Sequence, residues 1–301
     1  MPTLVLLFKL LLKLLLVLGG GLAIAYLAAC IFLLFRQSRF IFFPAPVSDI
    51  TPASVKLTYQ DVWIPIATPK GKVEQLHGWW MPAAGLEQGV IFYLHGNGAN
   101  VGATVSQSQR FHQLGLSVFV FDYRGYGRSQ GSFPSEAQVY EDTQAAWNYL
   151  TQERQIPPKQ IFLYGHSLGG AIAIDLAVKQ PEVAGLIVES TFTSMRRMVD
   201  VRGGFGLFPT DLLLLQKFNS LEKVRSLQMP VLFIHGTLDL TVPAEMSRTL
   251  FQAAPEPKQL LWVEDAGHND VAAIGEGRYL QAIQQFTEQV RTRQEQVTVS
   301  Q

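Results

Sequence analysis

Residues 161 to 177 read "IFLYGHSLGGAIAIDLA", and the reading of this stretch decides the fold. An apolar run of strand character meets an apolar run of helix character at "GHSLGG". A serine held in the bend between two buried elements is a candidate nucleophile. Gly165-His166-Ser167-Leu168-Gly169 fits the pattern G-x-S-x-G in the strand-to-helix setting that the pattern requires. The turn is so tight that side chains at Gly165 and Gly169 are expected to collide with neighbouring strands. The bend lifts the Ser167 hydroxyl into the open, at a helix N-terminus where free N–H groups and the helix dipole favour negative charge.

Working outward, the apolar run before the serine recurs without alternation at "GVIFYLHG" (89–96), "SVFVFDY" (117–123), "AGLIVES" (184–190), "PVLFIHG" (230–236) and "KQLLWVE" (258–264). Such runs fit strands buried on both faces of a parallel sheet. Before them, "VKLTYQDVWIPI" (55–66) and "EQLHGWWM" (74–81) read as a hairpin or meander joined by a turn at Pro69 to Lys72. Helical segments lie between the later strands. One opens at a Ser135/Gln138 capping box, another at Pro243, and a last spans roughly Tyr279 to Arg293. The expectation is an α/β fold, a mostly parallel eight-stranded sheet with flanking helices. The interval between "IVES" and "PVLF" is longer than the others and carries "GGFGLFPTDLLLLQKF". It reads as a short cap over an apolar pocket, about 191–228, with "LLLL" on a helix within it.

The first forty residues differ in character. Leu14 to Phe35 runs 22 residues without a charge, enough to span a hydrocarbon core of about 30 Å. The competing reading is a cleaved signal, and "LAAC" at 27–30 resembles a lipobox that would make Cys30 a lipidation site. The apolar run continues through "IFLLF" beyond Cys30, longer than the apolar core of a signal peptide. The expected organisation is therefore a membrane anchor over 1–40 and one domain over 41–301. Lys9 and Lys13 before the span balance Arg36 and Arg39 after it, so the charge rule assigns the domain no side of the membrane. The exit "RFIFFPAP" (39–46) reads either as an interfacial collar leading to a linker or as a first segment packed on the domain.

Composition narrows the function classes. Charged residues are 16% of the chain and the formal net charge is zero, so no basic face speaks for nucleic acid. One cysteine cannot form an intramolecular disulfide or a multi-cysteine metal site. The sequence contains no HExxH, P-loop or dinucleotide fingerprint, and no cofactor or metal is expected.

In an open α/β sheet, ligands bind beyond the carboxyl ends of the strands, so the polar residues there matter. A serine hydroxyl needs a base to take its proton, and His268 in "EDAGHND" follows the last strand. An acid must then hold the imidazole, and Asp239 in "HGTLDLTVP" follows the strand before. Glu189, at the end of the 184–190 strand, is the rival acid; Asp265 and Asp270 flank His268 too closely to orient it. The order Ser167, Asp239, His268 is that of the α/β-hydrolase arrangement. An oxyanion hole needs two backbone donors: the N–H of Leu168, next to the serine, and that of Asn97 in "HGNGAN", where Gly96 and Gly98 let the backbone turn. His95, His166 and His235, beside glycines at strand ends, are expected to brace loops.

Together "LHGNGAN", "FDYRGYGRSQGSFPSE", "GHSLGG", "ESTFTSM" and "HGTLDLTVP" resemble the membrane-anchored α/β-hydrolases described as α/β-hydrolase domain-containing or serine aminopeptidase-like. The resemblance covers nearly everything after Arg39. It implies the α/β-hydrolase fold, a serine-histidine-aspartate triad at Ser167, His268 and Asp239, and oxyanion donors at Asn97 and Leu168. The expected partners are a small acyl substrate or an acylated protein, and the membrane through the first helix; no oligomeric state is implied. The expected activity is acyl ester or thioester hydrolysis. A peptidase and a non-catalytic tethered binding module are the two rivals.

Overall fold

The computed structural model of the protein describes residues 1–68, 71–85 and 87–299. Eight strands form a single sheet: β1 (Gln60–Ala67), β2 (Val73–Met81), β3 (Val90–Leu94), β4 (Ser117–Phe121), β5 (Ile161–His166), β6 (Gly185–Glu189), β7 (Val231–Gly236) and β8 (Lys258–Val263). Their order is β1-β2-β4-β3-β5-β6-β7-β8. The pairs β1/β2 and β2/β4 are antiparallel, and every pair from β4/β3 onward is parallel.

Among the described residues, ten α-helices accompany the sheet: α1 (Pro2–Arg36), α2 (Ser38–Ile41), α3 (Val105–Gln113), α4 (Glu136–Asn148), α5 (Leu168–Lys179), α6 (Met195–Arg202), α7 (Thr210–Leu213), α8 (Ser220–Lys223), α9 (Glu245–Ala253) and α10 (Val271–Val299). The absence of alternation in the central strands has a direct cause, because each face of the sheet is covered. Phe92, Leu94, Phe119 and Phe121 pack with residues of α4, α5 and α9. Their neighbours Ile91, Tyr93, Val118 and Val120 pack on the other face with residues of α3 and α10. Both sets of side chains are withdrawn from water, so apolar residues follow one another in these strands without alternation.

Several boundaries differ from the sequence reading. The first strand begins at Gln60, because Pro52–Val55 forms a 3-10 turn that Lys56 ends in the left-handed region, φ 60°. In the turn between β1 and β2, Pro69 and Lys70 lie outside the described residues. Ser135 does cap α4, accepting from the Gln138 N–H, but its hydroxyl donates to the Gln138 side chain, so the reciprocal half of the box is missing. Pro243 precedes α9 by two residues and enters it through a bond from the Met246 N–H to its carbonyl. The long last helix breaks at Glu276, φ 38°, three residues before the expected start at Tyr279.

The "LLLL" run, expected on a helix, is only half helical. Only the four residues of α7 are helical there; Leu212 and Leu215 are 78% and 61% exposed, while Leu213 and Leu214 face a cavity. At the N-terminus, α1 is long and apolar enough to cross a membrane, a test that a signal sequence also passes. The exit after it is packed on the body: Ile41 and Phe42 are buried in the main core, and the Phe42 ring meets Phe218 edge-on at 6.0 Å.

Candidate active site

The turn between β5 and α5 carries Ser167 at φ 55°, ψ −120°, a backbone state that costs a non-glycine residue about 1–3 kcal/mol. The surroundings hold it there. The Ser167 N–H donates to the Glu189 carbonyl at 2.9 Å, and the Thr191 hydroxyl donates to the Ser167 carbonyl at 2.8 Å. The flanking glycines answer two separate constraints. A Cβ on Gly169 would lie 2.0 Å from the Leu94 carbonyl oxygen, so here the neighbouring strand is the obstacle, as expected. A Cβ on Gly165 would instead lie 2.3 Å from the Gly169 carbonyl oxygen, an obstacle inside the elbow itself.

Two and three strands away, the loops after β7 and β8 converge on this serine. A Cβ on Gly236 would meet the carbonyl oxygens of Ala266 and Gly267, so the absence of a side chain lets the loop bearing His268 close against β7. His268 Nε2 lies 3.0 Å from Ser167 Oγ, and His268 Nδ1 lies 2.7 Å from Asp239 Oδ2. A carboxylate only accepts, so the Nδ1 proton sits between His268 and Asp239 and the Nε2 lone pair faces the serine hydroxyl.

Asp239 is buried, which favours its neutral form. Hydrogen bonds from His235, His268 and the Val242 N–H outweigh that and hold its carboxyl well below the usual range. His235 does more than brace a loop. Its Nε2 lies 3.1 Å from Asp239 Oδ2 and 2.9 Å from the Val242 carbonyl, and its Nδ1 lies 2.6 Å from Ser247 Oγ. Two acceptors at Nε2 place the proton there, so the Ser247 hydroxyl donates to Nδ1. His166 Nε2 lies 3.0 Å from the His268 carbonyl, and burial keeps its imidazole below the ordinary range. It steadies the loop of the other histidine.

The rival acid is engaged elsewhere. Glu189 Oε2 accepts from the hydroxyls of Tyr164 at 2.9 Å and Tyr279 at 2.6 Å. Burial, together with the nearby Glu189 carboxylate, pushes both phenols well above their ordinary range, so they remain donors. Asp270 Oδ1 accepts from the Gly267 N–H and shapes the turn before His268, and the Asp265 N–H donates to Thr237 Oγ1 at 3.0 Å.

Asn97 and Leu168 line the same cavity as Ser167, and their backbone N–H groups donate to no acceptor among the described residues. Gly98 adopts φ 74° as expected. Gly96 serves a different purpose: a Cβ there would stand 3.0 Å from His166 Nδ1 and 3.2 Å from the Ser167 Cβ, so its role is close approach. The cavity itself measures about 480 Å³ and is walled by Phe192, Met195, Met198, Phe205 and Leu213 among others. Two groups of residues have a place at the site that the sequence reading did not assign to them. His235 would have been found by asking what holds the acid, since it precedes Asp239 by four residues. Leu33, Gln37, Phe40 and Phe43 also reach the cavity; their signal was the apolar exit of the first helix.

A mostly parallel eight-stranded sheet with a serine elbow after β5, an acid after β7 and a histidine after β8 defines the α/β-hydrolase class. The chain belongs to the α/β-hydrolase family. The family described as "Serine aminopeptidase, S33" matches residues 86–220. An uncharacterized protein of Mycobacterium tuberculosis is 36% identical over 252 residues, covering 83% of this chain and 87% of its own length. Human alpha/beta hydrolase domain-containing protein 17B is 34% identical over 206 residues, 66% of each chain. Among solved structures, the esterase Pf2001 of Pyrococcus furiosus superposes with a TM-score of 0.67 over 83% of this chain and 99% of its own, at 22% identity. The α/β-hydrolase GrgF from Penicillium superposes with a TM-score of 0.61 over 77% of this chain and 99% of its own, at 19% identity.

Proposed function

We propose that this hydrolase cleaves acyl ester or thioester bonds by serine acyl transfer, on lipid-like or acylated substrates at a membrane. The observation that carries the reading is the unbroken chain of short contacts from Asp239 Oδ2 through His268 to Ser167 Oγ, at 2.7 and 3.0 Å, opening into an apolar cavity. Ser167 Oγ attacks the acyl carbonyl carbon while its proton passes to His268 Nε2. The carbonyl oxygen becomes an oxyanion that the N–H groups of Asn97 and Leu168 receive; loss of one such donor costs about 10²–10³ in turnover. His268 returns the proton to the departing alcohol or thiol, leaving an acyl-enzyme. Water then attacks the acyl carbon, gives its proton to His268, and releases a carboxylic acid and the free serine.

In this reading residues 1–40 anchor the protein by a single membrane-spanning helix, and 41–301 form the hydrolase domain, with 191–228 as a short cap over the cavity. The peptidase reading needs a free carboxylate for a substrate amine, and Glu189 is occupied by two tyrosines. Purified full-length protein is expected to hydrolyse p-nitrophenyl esters and to react with a fluorophosphonate probe, and Ser167→Ala is expected to abolish both. Unchanged ester hydrolysis in Ser167→Ala would refute the assignment. Faster turnover of aminoacyl amides than of acyl esters would favour the peptidase, and an unlabelled wild type would favour a binding module.

A further inference from the structure

The cavity that contains Ser167 is built from two parts of the chain far apart in sequence. One wall comes from the 191–228 segment, and the facing wall comes from the end of α1 and its exit, through Leu33, Gln37, Phe40, Ile41 and Phe43. The two walls are joined directly. The Gln37 amide donates to the Leu213 carbonyl at 3.1 Å, and its oxygen accepts from the N–H groups of Leu215 at 2.7 Å and Gln216 at 3.0 Å. About three turns further into α1 the contacts continue: the Tyr26 hydroxyl donates to the Leu207 carbonyl at 3.0 Å, and its ring stacks on Phe208 at 5.7 Å between centroids.

The same exit is tied to the loop after β3. Asn97 Oδ1 accepts from the Phe43 N–H at 2.8 Å and from the Tyr126 hydroxyl at 2.9 Å, and its Nδ2 donates to the Ile41 carbonyl. Asn97 is thus pinned through its side chain by the helix exit while its own N–H faces the cavity.

Apart from Gln37 this wall is apolar, with Leu33 near the end of the 22-residue uncharged stretch and Phe40, Ile41 and Phe43 beyond it, and it suits an alkyl chain better than a polar group. The outer surface next to it is apolar as well, with Leu207 at 86% exposure and Leu212 at 78%, more than a water-facing loop has reason to show. A lipid tail following α1 would pass from the bilayer to Ser167 along hydrocarbon, without crossing water.

We propose that the end of α1 and its exit, Leu33 to Phe43, form one wall of the acyl-chain site, so that the N-terminal helix sets the preference for long acyl chains. This rests on the serine-hydrolase reading of Ser167. The test compares labelling rates of Ser167 by hexadecyl and ethyl fluorophosphonates, using full-length protein in one detergent. Leu33→Trp fills the chain wall from the helix side. It is expected to lower the ratio of hexadecyl to ethyl rates at least about tenfold, the scale on which pockets reject misfitting hydrocarbon. Gln37→Ala, which unties the two walls, is expected to lower the ratio in the same direction and by less. Labelling by the ethyl probe in each variant shows that the site is still assembled. A ratio equal to the wild type's in both variants overturns the proposal. Failure of both probes on the wild type instead overturns the hydrolase reading.

Discussion

The carboxyl edge of the sheet holds two clusters built from the same parts, a buried aspartate between two histidines, and they are opposite in character. In the first, Asp239 accepts from His268 and His235 on one oxygen and from the N–H groups of Thr241 and Val242, both at 2.8 Å, on the other. In the second, Asp122 faces His77 Nδ1 and His95 Nε2, each at 3.7 Å, and those two ring nitrogens have no hydrogen-bond partner among the described residues. A Cβ on Gly127 would lie 2.1 Å from Asp122 Oδ2, so the loop wraps closely over it. His268 reaches the cavity and a hydroxyl; His77 and His95 are sealed. The central residue types are the same in the two places, but the far nitrogens differ: His268 Nε2 faces the Ser167 hydroxyl at 3.0 Å, whereas His77 Nε2 is held by Asp61 Oδ1 at 2.6 Å and Arg128 Nη1 at 3.2 Å, and His95 Nδ1 by the Gly96 carbonyl at 2.9 Å. Proton transfer depends on where the second nitrogen points.

If that contrast governs function, Asp239→Asn should have the largest effect. The amide oxygen can still accept, but its NH₂ group favours the wrong imidazole tautomer and no charge stabilises the imidazolium. Turnover of a p-nitrophenyl ester should fall about 10⁴-fold. The same variant tests the electrostatics. Because the folded carboxyl ionises below its unfolded value of about 3.9, its contribution to stability is complete above about pH 4 and is lost as pH falls through the folded value. The melting temperature of the wild type should exceed that of Asp239→Asn near neutrality, and the gap should close on acidification. A gap that is constant with pH would mean that the hydrogen bonds to Asp239 are not tied to its charge.

His235→Leu should rank second. It removes one of the four bonds to Asp239 and leaves Ser247 Oγ unpaired, without touching the cavity. By analogy with groups that orient a ligating or catalytic side chain, kcat should fall about 10- to 100-fold with KM little changed. A change confined to KM would contradict a positioning role.

These contrasts also mark what could be read in the sequence. The central strands were legible because double burial makes them largely apolar, and the meeting of Ser167, Asp239 and His268 was legible because each lies in the loop after such a strand. The elbow was legible because two glycines are forced on it by carbonyl oxygens within 2.0 and 2.3 Å of where their side chains would be. Apolarity misled at "LLLL", where two leucines are exposed and two line the cavity, an arrangement with no helical period to betray it. It was also silent at the exit of α1, since Ile41 and Phe42 would look the same at a membrane surface as they do in the core. The glycine-flanked histidines of the two clusters, His95 and His235, could not be told apart. "LHG" at the end of β3 and "IHG" at the end of β7 are nearly the same words, and their difference lies in partners brought from elsewhere in the chain.

Asp122→Asn therefore makes the sharpest small test. Burial holds the His95 imidazole below its ordinary range, and the Asp122 carboxylate opposes that shift. Replacing the carboxylate by an amide removes the opposition, so His95 should remain neutral. Asp122 Oδ1 accepts from the Val101 N–H at 2.8 Å, and Oδ2 accepts from the Arg128 N–H at 3.3 Å. An amide can keep only one of these without turning its NH₂ toward a donor, leaving a buried group unsatisfied at about 1–3 kcal/mol. The melting temperature should fall by a few degrees, roughly 2–4 °C per kcal/mol in domains of this order of size, while fluorophosphonate labelling of Ser167 stays within about twofold of the wild type. Loss of labelling comparable to that of Asp239→Asn, at a melting temperature well above the assay, would mean that the Asp122 cluster takes part in the chemistry and that the two clusters are not opposites.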